Sequence, residues 1–309
     1  GELEMTYGEL NQRANQLARY LFNIGVVNED AIGICFENSL DAIVGILGVL
    51  KAGAAYVPID PESPQVRINY ILKDSNAKIV IAHSSLIDKF SVSVEHIVIA
   101  LDHDNKDINK ESKENIKREV SSESLVYIIY TSGSTGIPKG VLIENGNLSD
   151  YIQGLQIRLE LNNVYSYGLM STVSADLGNT VLFGSLLTGG SLHIFSKNTL
   201  RDVSEIHNYF EKNEIDFIKI VPNYWLSLSD GDKMLIPKKG IIFGGDILLP
   251  STVKEISKVV DNDFKLVNHY GPTETTIGKL IHEVDLLENY ECIPIGRPIS
   301  NTQVYILGS

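Results

Sequence analysis

The chain has 309 residues, enough for two domains or one large two-lobed domain with a sizeable core, and its 43% apolar content suits a soluble globular protein. A formal charge of −13 argues against nucleic acid or an anionic membrane as partner, because phosphate-rich surfaces are repelled on average. Cys35 and Cys292 stand far apart with no Cys/His cluster, which excludes a disulfide framework or zinc site and suits a reducing, cytoplasmic setting. From the N-terminus, Tyr7–Gly25 predicts an amphipathic helix, with Leu10, Ala14, Leu17, Ala18 and Leu21 at helical spacing and Gly25 as its stop. "AIGICF" is a buried strand, and "SLDAIVGILGVLKAG" is a helix capped by Ser39 and ended by Gly53. Its apolar run stops at Lys51, short of the ~18–20 residues a membrane span needs, and the N-terminus has no apolar signal segment. "KIVIAH" and "HIVIAL" are strands, whereas Asp102–Glu123 is polar and reads as a solvated surface excursion. "SLVYIIY", "GLMSTVSAD", "SLHIF", "FIKIV" and "KGIIFGG" follow as strands, with helices such as "VSEIHNYFEKN" between them; the tail from Ile293 is proline-rich and then strand-like. Alternating helices and β-branched strands predict an α/β fold with largely parallel sheets.

The strand "SLVYIIY" runs into Thr131-Ser132-Gly133-Ser134-Thr135-Gly136, followed by Pro138 and Lys139. Glycines let the backbone approach a ligand, successive N–H groups can form an anion nest, and hydroxyls and one lysine add donors. The P-loop pattern fails, because Lys139 follows Pro138 and precedes Gly140, and the Rossmann glycine pattern fails too. By composition alone such a run is more often a polar linker; its flanking strands favour a phosphate-binding loop.

"YTSGSTGIPKG" resembles the phosphate-binding motif of adenylate-forming enzymes, specifically the adenylation domains of nonribosomal peptide synthetases. "MTYGELNQRANQLARYL", "LKAGAAYVPIDPESP" and "NHYGPTETT" resemble three further motifs of that family, in the family's order, over essentially the whole chain. The resemblance implies two stacked flavodoxin-like αβαβα subdomains, at roughly 25–165 and 166–290, the second with the N-terminal helix, and the start of a β-barrel at 291–309. It also implies that the family's C-terminal lid lies outside this chain, which should leave adenylation by the chain alone slow or absent.

The implied reaction joins an amino acid carboxylate to the α-phosphate of ATP and then passes the acyl group to the phosphopantetheine thiol of a carrier protein. Peptidyl carrier and condensation domains of the same synthetase are the implied partners. By resemblance, Thr131–Gly136 and Lys139 hold the triphosphate, with Thr135 nearest the chemistry. Gly245, Asp246, Asn268, Tyr270 and Gly271 belong to the ATP site, with Tyr270 against adenine and Asn268 on its amino group. Thr273 is implied to meet the α-phosphate and Glu274 to hold Mg²⁺.

The family's pocket positions fall on Asp176, Leu177, Thr180, Lys219, Ile242, Gly244, His269, Ile277 and Gly278. Asp176 suits an α-ammonium. Lys219 and His269 suit an acidic side chain, because an unpaired buried charge is costly. The set resembles that of aspartate-activating domains; asparagine-activating domains carry an acidic residue where His269 stands. Asparagine or a β-substituted aspartate is the alternative substrate, and a catalytically silent interaction module is the alternative of another class. Ala175 stands where the family usually has an aromatic residue, and Asn145 where it often has histidine.

Overall fold

A computed structural model of the chain describes residues 3–90, 96–132, 136–229 and 233–307. The chain divides into two compact units, Gly1–Leu148 and Ser149–Ser309. The division falls inside a helix, N-terminal of the expected boundary near residue 165, and the N-terminal helix lies in the first unit.

In the first unit, α1 (Tyr7–Asn23) starts at a capping box between Thr6 and Glu9 and buries Ala14, Leu17, Ala18 and Leu21. Gly25 follows at φ +95°. Then come β1 (Ala31–Cys35), α2 (Leu40–Lys51), β2 (Ala55–Ile59), α3 (Gln65–Asp74), β3 (Ile79–Ala82), β4 (Ile97–Ala100), the short α4 (Asn105–Ile108), β5 (Leu125–Ser132) and β6 (Pro138–Glu144). Ser39 caps α2, as its sequence position predicts. The sheet order is β4-β3-β1-β2-β5-β6, parallel except for the antiparallel pair β5/β6.

The polar segment after β4 is not a free excursion. Asn15 and Gln16 of α1 are fully buried and reach it: Asn15 donates to the Lys113 carbonyl at 2.8 Å, and Gln16 donates to the carbonyls of Asn109 (2.9 Å) and Glu111 (3.0 Å). Arg118 donates to the Ala52 carbonyl and lies over the Phe22 ring. The segment is a strap whose carbonyls are held by buried amide side chains of α1, so few apolar residues are needed to hold it.

The second unit holds α5 (Asn145–Leu159), in which the division falls, β7 (Ser166–Leu169), α6 (Asn179–Thr188), β8 (Ser191–Ile194), α7 (Lys197–Arg201), α8 (Val203–Lys212), β9 (Phe217–Ile220), α9 (Pro222–Ser227), β10 (Gly240–Gly244), α10 (Pro250–Ile256), β11 (Lys265–Tyr270), β12 (Leu280–Glu283) and β13 (Arg297–Pro298). Its sheet order is β13-β12-β11-β10-β9-β7-β8. The five parallel strands read 2-1-3-4-5, the flavodoxin-like order. One face carries an apolar cluster of Ile218, Ile220, Ile241, Phe243 and Leu266 around Trp225.

Two strand expectations change. "GLMSTVSAD" leaves the sheet at Leu169, where the Thr172 hydroxyl turns the loop by accepting from the Ser174 N–H at 3.2 Å. Beyond Pro298, described residues 299–307 form no strand, and Val304–Leu307 are exposed. The expected barrel start is therefore limited to β13 pairing with β12.

Candidate functional site

The loop expected to grip phosphate caps a β-hairpin. β5 and β6 pair with Thr131 opposite Lys139 and Ser132 opposite Pro138. Gly133, Ser134 and Thr135 lie outside the described residues. Gly136 has φ +79°, and Lys139 is exposed. Helix α3 ties down both strands: Arg67 donates to the Tyr130 carbonyl (3.3 Å), and Tyr70 donates to the Pro138 carbonyl (3.0 Å). The Tyr130 hydroxyl donates to Asp74 at 2.7 Å. Burial, and then this carboxylate, push the Tyr130 phenol well above its usual range, so it stays a donor.

In the second unit, strand register gathers the pocket residues. Ile242 pairs with Lys219 on one side and Val267 on the other, and Gly244 pairs with His269. Because side chains alternate along a strand, Lys219, Ile242, Gly244 and His269 share one face, opposite the apolar cluster around Trp225. They stand at the carboxyl ends of parallel strands, beside the switch point between β7 and β9 where doubly wound sheets bind ligands. The chain leaving β7 enters a short turn, Asp176–Gly178, which leads directly into α6 and its Thr180.

Lys219 is fully buried, and its ammonium donates to the Thr180 hydroxyl at 2.8 Å. Burial lowers its pKa to about 7, against the opposing pull of Asp176. Asp176 is held above the usual carboxylate range, chiefly by burial; a hydrogen bond from Thr273 and the Lys219 charge act the other way. Its Oδ2 is buried without a hydrogen-bond partner, a cost that an incoming donor would remove. Burial and the Lys219 charge hold His269 well below its ordinary value, so its imidazole is neutral. A Cβ at Gly278 would sit 2.4 Å from His269 Cε1, so glycine is needed for this ring position. A Cβ at Gly244 would crowd the His269 carbonyl oxygen at 3.1 Å and touch the Lys219 stem at 3.4 Å and Leu177 at 3.6 Å.

Beyond His269 the chain enters a strained turn. Thr276 and Ile277 are buried, β-branched and at φ +67° and +65°, a conformation that costs about 1–3 kcal/mol per residue and clusters at ligand sites. Asn268 faces the other side of β11, and its amide donates to the Pro294 carbonyl at 2.8 Å. Tyr270 is half-exposed and Glu274 exposed. Asp246 accepts from Asn223 at 2.9 Å, next to Gly245 at φ +84°.

A profile of the family described as "AMP-binding enzyme" matches residues 1–309. The chain belongs to this family. Surfactin synthase subunit 2 of Bacillus subtilis (strain 168) is 39% identical over 311 residues, covering 98% of this chain and 9% of that protein, so the chain spans a small part of that relative. The nonribosomal peptide synthetase FmoA3, in its form bound to alpha-methyl-L-serine-AMP, superposes with a TM-score of 0.87 at 24% identity, over 97% of this chain and 34% of that one. The N-terminal subdomain of Klebsiella oxytoca NpsA, in complex with 3-hydroxyanthranilyl-AMSN, gives a TM-score of 0.80 at 22% identity, over 97% and 75% of the two chains. At these identities the two structures match this chain in fold.

Within this chain, Asp176, Leu177, Thr180, Lys219, Gly244, His269 and Gly278 are linked by the contacts above, and Ile242 and Ile277 are buried beside them in sequence or register. Thr273, expected on phosphate, engages Asp176. Two features escaped the sequence reading: the anchoring of the hairpin by Arg67, Tyr70 and Asp74, and Tyr151. The Tyr151 hydroxyl lies 2.7 Å from Thr180 and 3.4 Å from His269 Nε2. Its place at an apolar position of α5 makes it look like core. No helix among the described residues is long and apolar enough to cross a membrane.

Proposed function

We propose that this chain activates an amino acid, L-aspartate, as its adenylate at the expense of ATP, within a peptide synthetase that passes the acyl group to a phosphopantetheine thiol. The observation that carries the substrate reading is the fully buried Lys219 facing a carboxylate with an unpartnered oxygen. Lysine is almost never fully buried without a counter-charge, and among the described residues the one acting on it is Asp176, whose own charge burial opposes. Aspartate completes both halves: its α-ammonium meets Asp176 Oδ2, and its side-chain carboxylate meets Lys219. A β-substituted aspartate retains both contacts.

The reaction forms a bond between an α-carboxylate oxygen and the α-phosphorus and breaks the bond to the bridging oxygen, whose electron pair leaves with pyrophosphate. Asp176 and Lys219 act by fixing the nucleophile's position, since orientation supplies much of the rate in phosphoryl transfer. Thr273 orients Asp176 and stands one residue from Glu274. Among the described residues no three His, Cys, Asp or Glu side chains form a metal cage. Mg²⁺ usually takes one or two protein carboxylates and completes its shell with phosphate oxygens and water, so an exposed Glu274 fits it. Bound there, Mg²⁺ would neutralise phosphate charge as it shifts toward the leaving group.

Asn268 donates one N–H of its amide to the Pro294 carbonyl, and its side-chain oxygen is an acceptor suited to the adenine amino group. Thr131, Ser132, Gly136 and Lys139 present the hairpin end as the triphosphate grip, with peptidyl carrier and condensation domains as partners. The test is amino-acid-dependent exchange of pyrophosphate into ATP by the full-length protein across all amino acids. Aspartate should dominate; dominance by a neutral amino acid refutes the roles of Lys219 and His269.

A further inference from the structure

The sequence resemblance places Gly271 in the ATP site, but the packing around it leads to His269. β11 and β12 pair antiparallel, with Tyr270 opposite Leu280 and His269 opposite Ile281, so residues 271–279 form the loop that joins them. Lys279 closes the neck of this loop. Its N–H donates to the Tyr270 carbonyl at 3.0 Å, its carbonyl accepts from the Ile299 N–H at 2.9 Å, and its ammonium donates to Asp150 of α5 at 2.8 Å. Across the neck, Gly271 meets Gly278 with no side chain between them. A Cβ on Gly271 would lie 2.4 Å from Gly278 Cα, 2.9 Å from Lys279 N and 3.1 Å from the Gly278 carbonyl carbon. All three are backbone atoms, so no change of rotamer relieves the clash. Gly278 in turn lies against the buried His269 ring, where its own Cβ would sit 2.4, 2.8 and 3.0 Å from Cε1, Nε2 and Nδ1. The Gly278 backbone also hydrogen-bonds that ring. Gly271, Gly278 and His269 are thus packed in series, backbone on backbone and backbone on ring.

We infer that Gly271 is a positioning residue for the amino acid pocket: its missing side chain lets Gly278 close on the neck, and Gly278 fixes the His269 ring. A methyl group at position 271 must go from 2.4 Å to the 3.4 Å at which ordinary contact begins, a movement of about 1 Å. Three bonds hold Lys279, so the movement falls on Gly278 and on the ring packed against it. Misplacing a binding group by roughly 1 Å can cost on the order of 100-fold in rate. The packing in series stands by itself, whereas its consequence for the amino acid rests on the reading of His269 as a pocket wall.

The test is Gly271→Ala in the full-length protein. Without ligand, the ¹³C–¹H signal of His269 Cε1, assigned through its loss in His269→Gln, should move, because Cε1 is the ring atom on the Gly278 side. The signal of His207, on α8, should stay in place. In pyrophosphate exchange, KM for the amino acid that the wild type prefers should rise by roughly tenfold or more, with KM for ATP little changed. An unmoved His269 signal overturns the packing in series. An unchanged amino acid KM, or a loss confined to ATP, overturns the positioning role. If Gly271→Ala does not accumulate as folded protein, His269→Ala is added to it: residues in contact couple, so removing the ring should restore a folded protein, and failure to do so overturns the inference. A wild type that prefers an amino acid other than aspartate refutes the aspartate reading, while the ring signal and the KM comparison still judge Gly271.

Discussion

Replacing Lys219 by methionine should move stability and aspartate binding in opposite directions. Burial holds this lysine at a pKa of about 7, well below its ordinary 10.5. The unfolded chain therefore binds the proton more tightly, and stability rises with pH between about 7 and 10.5. Below pH 7 the folded protein carries the full cost of the buried charge, of order 5 kcal/mol at ~1.36 kcal/mol per pH unit and an upper bound. Methionine fills similar volume without charge. It gives up one hydrogen bond to Thr180, worth about 1 kcal/mol, and Thr180 keeps its bond to Tyr151. Exchanges of buried charge for apolar side chains typically gain ~1–4 kcal/mol, which corresponds to about 2 °C or more in Tm per kcal/mol. The ligand-free variant should melt higher than wild type at pH 6, and the gap should close as pH rises. Aspartate binding should instead weaken by roughly 10- to 150-fold, the equivalent of losing ~1.5–3 kcal/mol of charge-assisted hydrogen bonding. Thermal unfolding and titration calorimetry on the same samples measure both. A variant that melts lower and binds aspartate unchanged refutes the reasoning, since Lys219 would then be a structural residue.

Wild-type affinity for aspartate should itself depend on pH. Above about 7 Lys219 must first be protonated, so binding should take up a proton and weaken by up to tenfold per pH unit, read by calorimetry in buffers of different ionisation enthalpy; a flat profile from pH 6 to 9 contradicts this. Gly278→Ala places a Cβ against the His269 ring and should cost about 1–3 kcal/mol in chemical denaturation and displace the His269 signals. Tyr70→Phe removes the bond to the Pro138 carbonyl and should weaken binding of an ATP analogue while leaving aspartate affinity intact. Gln16→Ala leaves two strap carbonyls without their donor and should cost about 1–3 kcal/mol, with faster limited proteolysis around residues 109–115.

These outcomes separate what the sequence carries openly from what it hides. Helix α1, the Ser39 cap and strands such as β1, β3, β4, β5, β9 and β10 were legible because apolar period and cap chemistry are local, whereas β2, β11 and β12 were not read as strands. The strap was not, because Asn15 and Gln16 interrupt an otherwise ordinary amphipathic pattern, and a polar segment reads as solvated wherever its partners are backbone carbonyls. The strand expected through "GLMSTVSAD" ended early for a related reason: hydroxyls gave the backbone a local alternative to the ladder.

The pocket follows the same division. Lys219 and His269 stood out as charged or titratable groups inside apolar strands, and strand alternation places them on one face once the register is known. Tyr151 carried no such mark, because a tyrosine on an apolar helix face is indistinguishable from core until its hydroxyl is located. On the aspartate reading Lys219 selects a negative side chain, but an ammonium can also donate to an amide oxygen, so charge alone discriminates poorly between an acid and its amide. Discrimination requires that acceptors be absent from the far wall. Beside that wall, Lys219 donates to the Thr180 hydroxyl, and the Tyr151 hydroxyl lies 2.7 Å from Thr180 and 3.4 Å from His269 Nε2.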